Sequence, residues 1–431
     1  MSQLRFGFAD EIITPVLNGH FLDGYGFRLG PAEFIRDDIH AKVCAIVSGD
    51  SISLLFSMDL IGMGPRLYRL VTSQISHLTG VPRERIALCF IHTHAAPAAG
   101  ILDELPIDYD YFAHVGELCG QAALRAIERA CPCSVSFSIL PEQITQSYNR
   151  RNGRDVIDRS IRAAAFHDEN GQLRGVICSA SCHAVVCTKM CVSADWLSEL
   201  NKLSSDALPY LYVQNRGADV DPLDMASHTV DDLIEKLGKQ LSEPVERFAK
   251  AAVPGTPLQG TLITRYENVS VPMMAMTDTD TMKATIRAEE KKYFASPAGS
   301  LERHMVFREL QFWRHMLEMA ENGENFDIKV PLQLFCLNHD FVFAFVPFEM
   351  LTLTGNKLEE LFVSKGFAPE NIYTCGYSNS TNGYLAPIEE FEFGGYEVAG
   401  ASHWYNIPQN STGTERAVLE WFTKQADMIY N

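Results

Sequence analysis

The sequence is short of positive charge. It contains 36 lysines and arginines against 54 aspartates and glutamates, which gives a formal net charge of -18 over 431 residues. Contacts to phosphate need lysine and arginine, so the composition argues against nonspecific nucleic-acid binding. A basic patch that docks on anionic lipid is disfavoured for the same reason. The partner that we expect is a small-molecule substrate, and the composition leaves the oligomeric state open.

Long apolar runs are also missing. No stretch approaches the roughly 20 apolar residues of a membrane-spanning helix. Residues 1–5 lead straight into a strand-like segment, without the apolar core of a secretion signal. The 11 cysteines are odd in number and often lie inside apolar runs, which favours reduced, buried thiols. Together these features predict a cytoplasmic protein with no membrane span.

Several common catalytic signatures do not occur. The sequence has no Gly-x-Ser-x-Gly, P-loop, Gly-x-Gly-x-x-Gly or His-Glu-x-x-His motif. An α/β-hydrolase and a dinucleotide-dependent enzyme are therefore disfavoured.

Apolar patterning predicts a mixture of strands and helices. Three hairpins are expected where strand-like runs flank turn residues: 41–47 with 52–57, 161–167 with 175–182, and 328–337 with 341–346. Further strands are expected over 86–92, 210–213 and 258–271, the last as one strand or a pair. Helices are expected over 65–78, 109–130, 193–205, 230–251, 281–321, 348–362 and 415–429. We predict a single large α+β domain over residues 1–431, with layered β-sheets flanked by helices and a buried metal site.

What the sequence does contain is a set of metal-capable side chains where strand-like segments end. His92 and His94 follow the apolar run that begins at Ile86. In an extended backbone, residues i and i+2 point to the same face. Two imidazoles would then converge on one point, as in many zinc sites. The alternative is that both are loop histidines that only make hydrogen bonds.

His183 closes another apolar strand and lies among four cysteines. A structural histidine is the alternative to a metal ligand at this position. A zinc or iron–sulfur cluster held by the cysteines is a rival interpretation; these residues are Cys178, Cys182, Cys187 and Cys191. The residues between Cys182 and Cys187 are apolar rather than turn-forming, which favours buried free thiols.

Three further segments carry polar groups at strand ends. Glu349 is expected one turn into a helix that begins at Pro347, where the helix dipole favours a carboxylate. Its apolar neighbours indicate burial, and a buried charge needs a counter-charge or a metal. Arg150 lies between β-segments, where a solvated turn is the alternative. Residues 215–222 form a strand-end loop that suits substrate-facing groups.

Taken in order, these segments resemble the neutral/alkaline ceramidase family of zinc-dependent amidases, which split N-acylsphingosine. The similar segments are 6–10, 24–26, 39–42, 91–97, 182–183, 193–195, 214–222, 347–349, 377–379, 384, 389–390 and 396–397. They span nearly the whole chain in the order of the family. The resemblance implies a catalytic zinc ion as the cofactor.

The resemblance also implies which residues surround that ion. The zinc ligands would be His92, His183, Glu349 and Tyr384. The catalytic residues around the reacting carbonyl would be His94, Arg150 and Tyr396. Zinc with an open coordination position lowers the pKa of bound water to about 7. A phenol and a guanidinium could stabilise the oxyanion as it forms.

The sequence departs from the family in three ways. Asn215 replaces a serine that is proposed to act at the scissile amide; asparagine is no nucleophile but can donate a hydrogen bond, so we expect it to bind substrate. We also expect neither the immunoglobulin-like domain into which the ceramidases continue nor their secretion signal. We therefore expect a zinc-dependent amidase that hydrolyses a small soluble carboxamide or N-acyl compound through zinc-bound water. The alternatives are a true ceramidase and a non-catalytic, ligand-binding relative.

Overall fold

The computed structural model describes residues 3–102, 105–151 and 153–430. Its strands are β1 (Arg5–Ile12), β2 (Phe34–Ile35), β3 (His40–Ser48), β4 (Ser51–Met58), β5 (Ile86–Phe90), β6 (Cys131–Gln143), β7 (Ser147–Asn149), β8 (Ser160–Asp168), β9 (Leu173–Ala180), β10 (Cys191–Val192), β11 (Tyr210–Gln214), β12 (Val220–Pro222), β13 (Ile263–Val271), β14 (Ile328–Leu337), β15 (Phe341–Phe345), β16 (Glu349–Met350), β17 (Ile372–Cys375) and β18 (Tyr384–Leu385). Its α-helices are α1 (Pro65–Thr79), α2 (Tyr109–Glu128), α3 (Ser198–Asn201), α4 (Val230–Ala251), α5 (Thr279–Ala295), α6 (Leu301–Glu321), α7 (Thr352–Ser364), α8 (Ser402–Tyr405) and α9 (Thr414–Tyr430).

Eight strands form a large mixed sheet in the order β11-β9-β8-β6-β1-β3-β4-β5. Two of its antiparallel pairs, β3–β4 and β8–β9, are the hairpins expected from the sequence. The edge strands join in parallel, β5 on β4 and β11 on β9. A second sheet has the order β13-β14-β15-β17, and its β14–β15 pair is the third expected hairpin.

The two sheets pack face to face, and helices cover both outer faces. Aromatic side chains fill the space between the sheets; Phe6 and Phe166 come from the large sheet, and Phe335, Phe343 and Tyr373 from the small one. The other face of the large sheet packs on α1, α2 and α4. The other face of the small sheet packs on α7 and α9. The resulting order of layers is helix, sheet, sheet, helix, which confirms the α+β prediction.

The large sheet curls until its two ends approach each other. The Ser57 hydroxyl on β4 donates to the carbonyl oxygen of Tyr212 on β11 (2.6 Å) and accepts from its N–H (3.2 Å). β4 and β11 lie near opposite edges of the sheet. The segments that follow β5 and β9 therefore meet, and Thr93 forms a parallel bridge with Ala184.

Three helices differ from the sequence prediction. The helix expected over 193–205 is only Ser198–Asn201, preceded by a 3₁₀ turn. The run over 281–321 is divided into α5 and α6 at a connection that contains Pro297 and Gly299, the latter with φ of 74°. The helix expected from residue 348 begins at Thr352 instead. No helix in the described part of the chain combines the length and apolarity needed to cross a bilayer.

The aromatic layer between the sheets gives a direct test of this architecture. Phe343 is 2% exposed, and its ring stacks on Tyr373 with centroids 4.7 Å apart. Phe343→Ala should lower the free energy of unfolding by about 3–5 kcal/mol, because loss of the buried ring leaves a cavity between the two sheets. Urea denaturation followed by circular dichroism measures the change.

The matched control is Phe294→Ala, on a ring that is 76% exposed. This variant should change the free energy of unfolding by less than about 0.5 kcal/mol. Equal effects in the two variants would contradict the packing of the two sheets.

Candidate metal centre

His92 lies two residues beyond the end of β5, in a left-handed backbone conformation with φ of 63°. The prediction that the strand continues through His92 is therefore wrong, and so is the argument from alternating side chains. Contacts across the fold set this conformation instead. The backbone N–H of His92 donates to Leu60 O (3.0 Å), and that of His94 donates to Ala184 O (3.1 Å).

The imidazole of His92 is fixed in one tautomer. Its Nδ1 lies 2.7 Å from Ile61 O, and a carbonyl oxygen can only accept, so Nδ1 carries the proton. The lone pair of the neutral ring is then on Nε2. The ring is buried, with 1% exposed area.

His183 is held in the same way on the neighbouring segment. Its backbone N–H donates to Val220 O (2.9 Å), and its Nδ1–H donates to Gly217 O (2.6 Å). The Nε2 lone pair again points into the interior. The His92 and His183 rings are 5.1 Å apart between centroids.

Glu349 completes this group from the other sheet layer. It belongs to β16, which pairs in parallel with β18 so that Glu349 lies opposite Tyr384. The predicted helix-start position is wrong, because its backbone N–H donates to Gly383 O (2.8 Å) and keeps the segment extended. Its Oε2 lies 3.3 Å from His92 Nε2 and 3.2 Å from His183 Nε2.

These three atoms are all acceptors when the histidines are neutral. Two ring nitrogens and a carboxylate oxygen facing one another in a buried place repel, unless positive charge lies between them. Burial would raise the pKa of Glu349, but positive charge and hydrogen-bond donation at the adjacent His92 and His183 rings hold it well below its usual value. A cation bound among the three atoms would satisfy the lone pairs that they direct at one another. Histidines that donate their other N–H to a backbone carbonyl are typical of metal ligands.

His94 lies beside this group. Its Nε2 is 3.3 Å from His92 Nε2, and its Nδ1 has no hydrogen-bond partner within the described residues. Burial lowers the pKa of His94 well below its usual value, and the nearby His92 and His183 lower it further. The ring nitrogens of His92, His94 and His183 lie within 4.8 Å of one another, close enough to hold a metal ion.

Tyr384 and Arg150 form a pair at the side of the group. Arg150 Nη2 donates to the Tyr384 hydroxyl (3.0 Å). Its Nε donates to Glu397 Oε1 (2.8 Å), and its Nη1 donates to Asp221 Oδ1 (3.2 Å). Burial works against the charge of Arg150, but Tyr384, Asp221 and Glu397 raise its pKa well above the usual value. Arg150 is therefore a fixed positive charge behind the Tyr384 hydroxyl.

A cavity of about 380 Å³ opens above these residues. Its lining includes His92, His94, Glu349, Tyr384 and Tyr396, all predicted from the sequence. The remaining lining residues are Gly24, Tyr25, Gly26, Phe27, Ile61, Ile101, Leu102, Leu301, Met305, Trp404 and Tyr405. Tyr396 lies at the mouth and is 43% exposed.

Arg150, His183 and Asn215 do not line this cavity. Arg150 lines a second cavity of about 460 Å³, which shares Tyr396 with the first. Asn215 is 1% exposed; its Oδ1 accepts from Thr374, and its Nδ2 donates to Asp158 Oδ2 (3.4 Å). The position of Asn215 therefore does not support the predicted contact with substrate.

Tyr405 was not predicted from the sequence. Its hydroxyl donates to Glu349 Oε1, the oxygen that faces away from the histidines. The signal for it is weak: the segment 371–409 is rich in aromatic residues and glycine but has no periodicity. Such a pattern indicates a functional loop but does not identify which of its residues contacts the metal site.

The cysteine cluster does not form a metal site. Within residues 3–102, 105–151 and 153–430, the side chains found close enough together to hold an ion include His92, His94 and His183 and no cysteine. Cys178, Cys182, Cys187 and Cys191 are buried free thiols, and the Sγ atoms of Cys187 and Cys191 are 3.4 Å apart.

Comparison with known proteins identifies the fold. No family model matches the sequence, and no curated protein matches it either. Among solved structures, neutral ceramidase from Pseudomonas aeruginosa aligns with a TM-score of 0.73 and 18% identity, over 99% of this chain and 74% of that one. A ceramidase complexed with C2 aligns with a TM-score of 0.73 and 16% identity, over 99% of this chain and 75% of that one. The resemblance seen in the motifs is confirmed by the structure, and the chain has the ceramidase-like fold of these proteins.

Proposed function

We propose that this protein is a zinc-dependent hydrolase that cleaves a carboxamide. One observation carries the proposal: His92 Nε2, His183 Nε2 and Glu349 Oε2 converge, beside a cavity that His92 and Glu349 line, in an arrangement that suits a bound cation. The likeness to proteins named as ceramidases supports an amide as the bond that is cleaved.

The donor set fits zinc. Two neutral imidazoles and one carboxylate are the ligands of many catalytic zinc sites, which keep a position open for water or substrate. Tyr384 lines the same cavity, and its hydroxyl oxygen is the candidate for a fourth ligand. The chemistry that zinc supplies in such a site is the activation of water and the polarisation of a carbonyl oxygen.

The protein itself would orient the amide and stabilise the charge that develops on its oxygen. Tyr396 lies at the cavity mouth, and its hydroxyl has no hydrogen-bond partner among the described residues, so it can donate to substrate. The Arg150 guanidinium lies 5.7 Å from the Tyr396 ring and 5.6 Å from the Tyr384 ring. The guanidinium adds positive electrostatic potential near both phenols. It would act on the substrate through this potential, without touching it.

The cavity walls indicate the kind of group next to the scissile bond. Among its described lining residues, Glu349 is the one carboxylate, and neither lysine nor arginine occurs. The other walls are aromatic or aliphatic, so the group that they accept is uncharged and apolar. A volume of about 380 Å³ lies at the lower end of small-molecule sites and favours a small N-acyl compound.

A second candidate substrate is N-acylsphingosine. The observation that favours it is the apolar rim of the cavity, where Phe27, Leu301 and Met305 are 49%, 41% and 37% exposed. These side chains extend the apolar surface outward, where a long chain could lie.

The metal prediction is tested by elemental analysis of purified variants. Wild-type protein should contain one zinc ion per chain, and His92→Ala and His183→Ala should each lose it, because a lone pair is removed from the ligand set. His94→Ala should keep zinc and lose activity. The control is His114→Ala, on a side chain that is 63% exposed, which should keep zinc. Full retention of zinc in His92→Ala or His183→Ala would remove that residue from the ligand set.

The role of Tyr396 is tested by removal of its hydroxyl. Tyr396→Phe should lower the turnover rate by about 10²–10³, because a donor to the developing oxyanion is lost. Zinc content and thermal stability should not change. Tyr109→Phe, on a ring that is 47% exposed, is the control for loss of a phenol. Unchanged turnover in Tyr396→Phe would reject the role.

The two candidate substrates are separated by a series of N-acyl compounds of increasing chain length. If the enclosed cavity sets the specificity, kcat/KM should be highest for short acyl groups and fall for long ones. A steady rise up to N-acylsphingosine would favour the ceramidase alternative. Leu301→Ser should weaken the binding of long chains only, because it removes apolar surface at the rim.

A further inference from the structure

We propose that Tyr405 positions the Glu349 carboxylate for metal binding, and that helix α6 holds Tyr405 in place. This inference rests on the proposed metal site and deepens it. The resemblance that supplied the ligands assigns no role to Tyr405.

The two oxygens of Glu349 have different partners. Oε2 faces His92 and His183, at 3.3 and 3.2 Å. Oε1 accepts a hydrogen bond from the Tyr405 hydroxyl. The terminal torsion of a glutamate is broad, so packing alone fixes the plane of its carboxylate weakly. The Tyr405 hydroxyl fixes that plane, and it satisfies an oxygen that burial removes from water.

The hydrogen bond to Tyr405 also selects how Glu349 can bind an ion. With Oε1 occupied by a donor, Oε2 is the oxygen that remains directed at the histidines. Groups that orient a metal ligand in this way typically change metal affinity by 10–100-fold when they are removed.

Tyr405 is the last residue of α8 (Ser402–Tyr405), and α6 contacts the two residues before it, His403 and Trp404. The His403 ring stacks on Phe312 with centroids 3.9 Å apart, and its Nδ1 lies 2.8 Å from Glu309 Oε2. Arg308 donates to Trp404 O (3.1 Å), and its guanidinium lies 3.7 Å from the centre of the Trp404 ring system.

Helix α6 thereby connects the cavity wall to the metal ligands. Its first turns supply Leu301 and Met305 to the cavity lining. The Trp404 indole lies against Gly26, where a Cβ atom would overlap it. A change in the position of α6 would move Tyr405 and with it the carboxylate of Glu349.

The test measures zinc affinity by competition with a chromophoric chelator. Tyr405→Phe keeps the ring and removes only the hydroxyl, and we expect zinc to bind 10–100-fold more weakly. The matched control is Tyr111→Phe, because the Tyr111 hydroxyl also donates a hydrogen bond, to Ile13 O (2.7 Å), but outside the cavity. That variant should bind zinc with wild-type affinity. If Tyr405→Phe does not fold, as judged by circular dichroism, Tyr405→Met replaces it in the same assay with the same expectation.

The outcomes separate this inference from the proposed function. If wild-type protein binds no zinc, the proposed function fails. If wild-type protein binds zinc and Tyr405→Phe binds it equally well, the positioning role of Tyr405 is overturned. The link to α6 is tested by His403→Ala, which should weaken zinc binding several-fold, and wild-type affinity in that variant would overturn the link.

Discussion

Three hydrogen-bond acceptors that face one another in a buried place are the constraint on which this site depends. The tautomers of His92 and His183 are fixed by backbone carbonyls, and the lone pairs that remain are directed at the Glu349 carboxylate. Such a group is unfavourable in a dry interior unless positive charge, from a proton or a bound cation, lies among the three atoms. The elements around the site can therefore be understood by how they hold these three atoms together.

The fold achieves this with two sheets rather than one. The curl of the large sheet, closed by Ser57 and the Tyr212 backbone, brings His92 and His183 together. Glu349 lies in β16, which follows β15 of the small sheet, and the pairing of β16 with β18 places Tyr384 opposite it. The ligands come from distant parts of the chain, so the site forms only when both sheets have packed.

Much of the scaffold could be predicted from the sequence, because its signals are local. The three hairpins follow from apolar runs on either side of turn sequences, and α1 ends at Gly80 because that residue adopts φ of 71°. The geometry of the site could be predicted less well. The left-handed backbone of His92 is imposed by residues 60, 61 and 184, and the extended conformation of Glu349 by pairing with residues 383–385. Tyr405 lies in a segment with no periodicity, so only the folded chain shows that it reaches Glu349.

The central claim is that a metal ion lies among these three atoms, and its most direct test is crystallographic. Crystals of the purified protein should be measured at wavelengths on both sides of the zinc absorption edge. The account predicts one strong anomalous peak per chain, within bonding distance of His92 Nε2, His183 Nε2 and Glu349 Oε2. A peak beside Cys187 and Cys191 instead, or no peak in crystals grown with zinc, would contradict it.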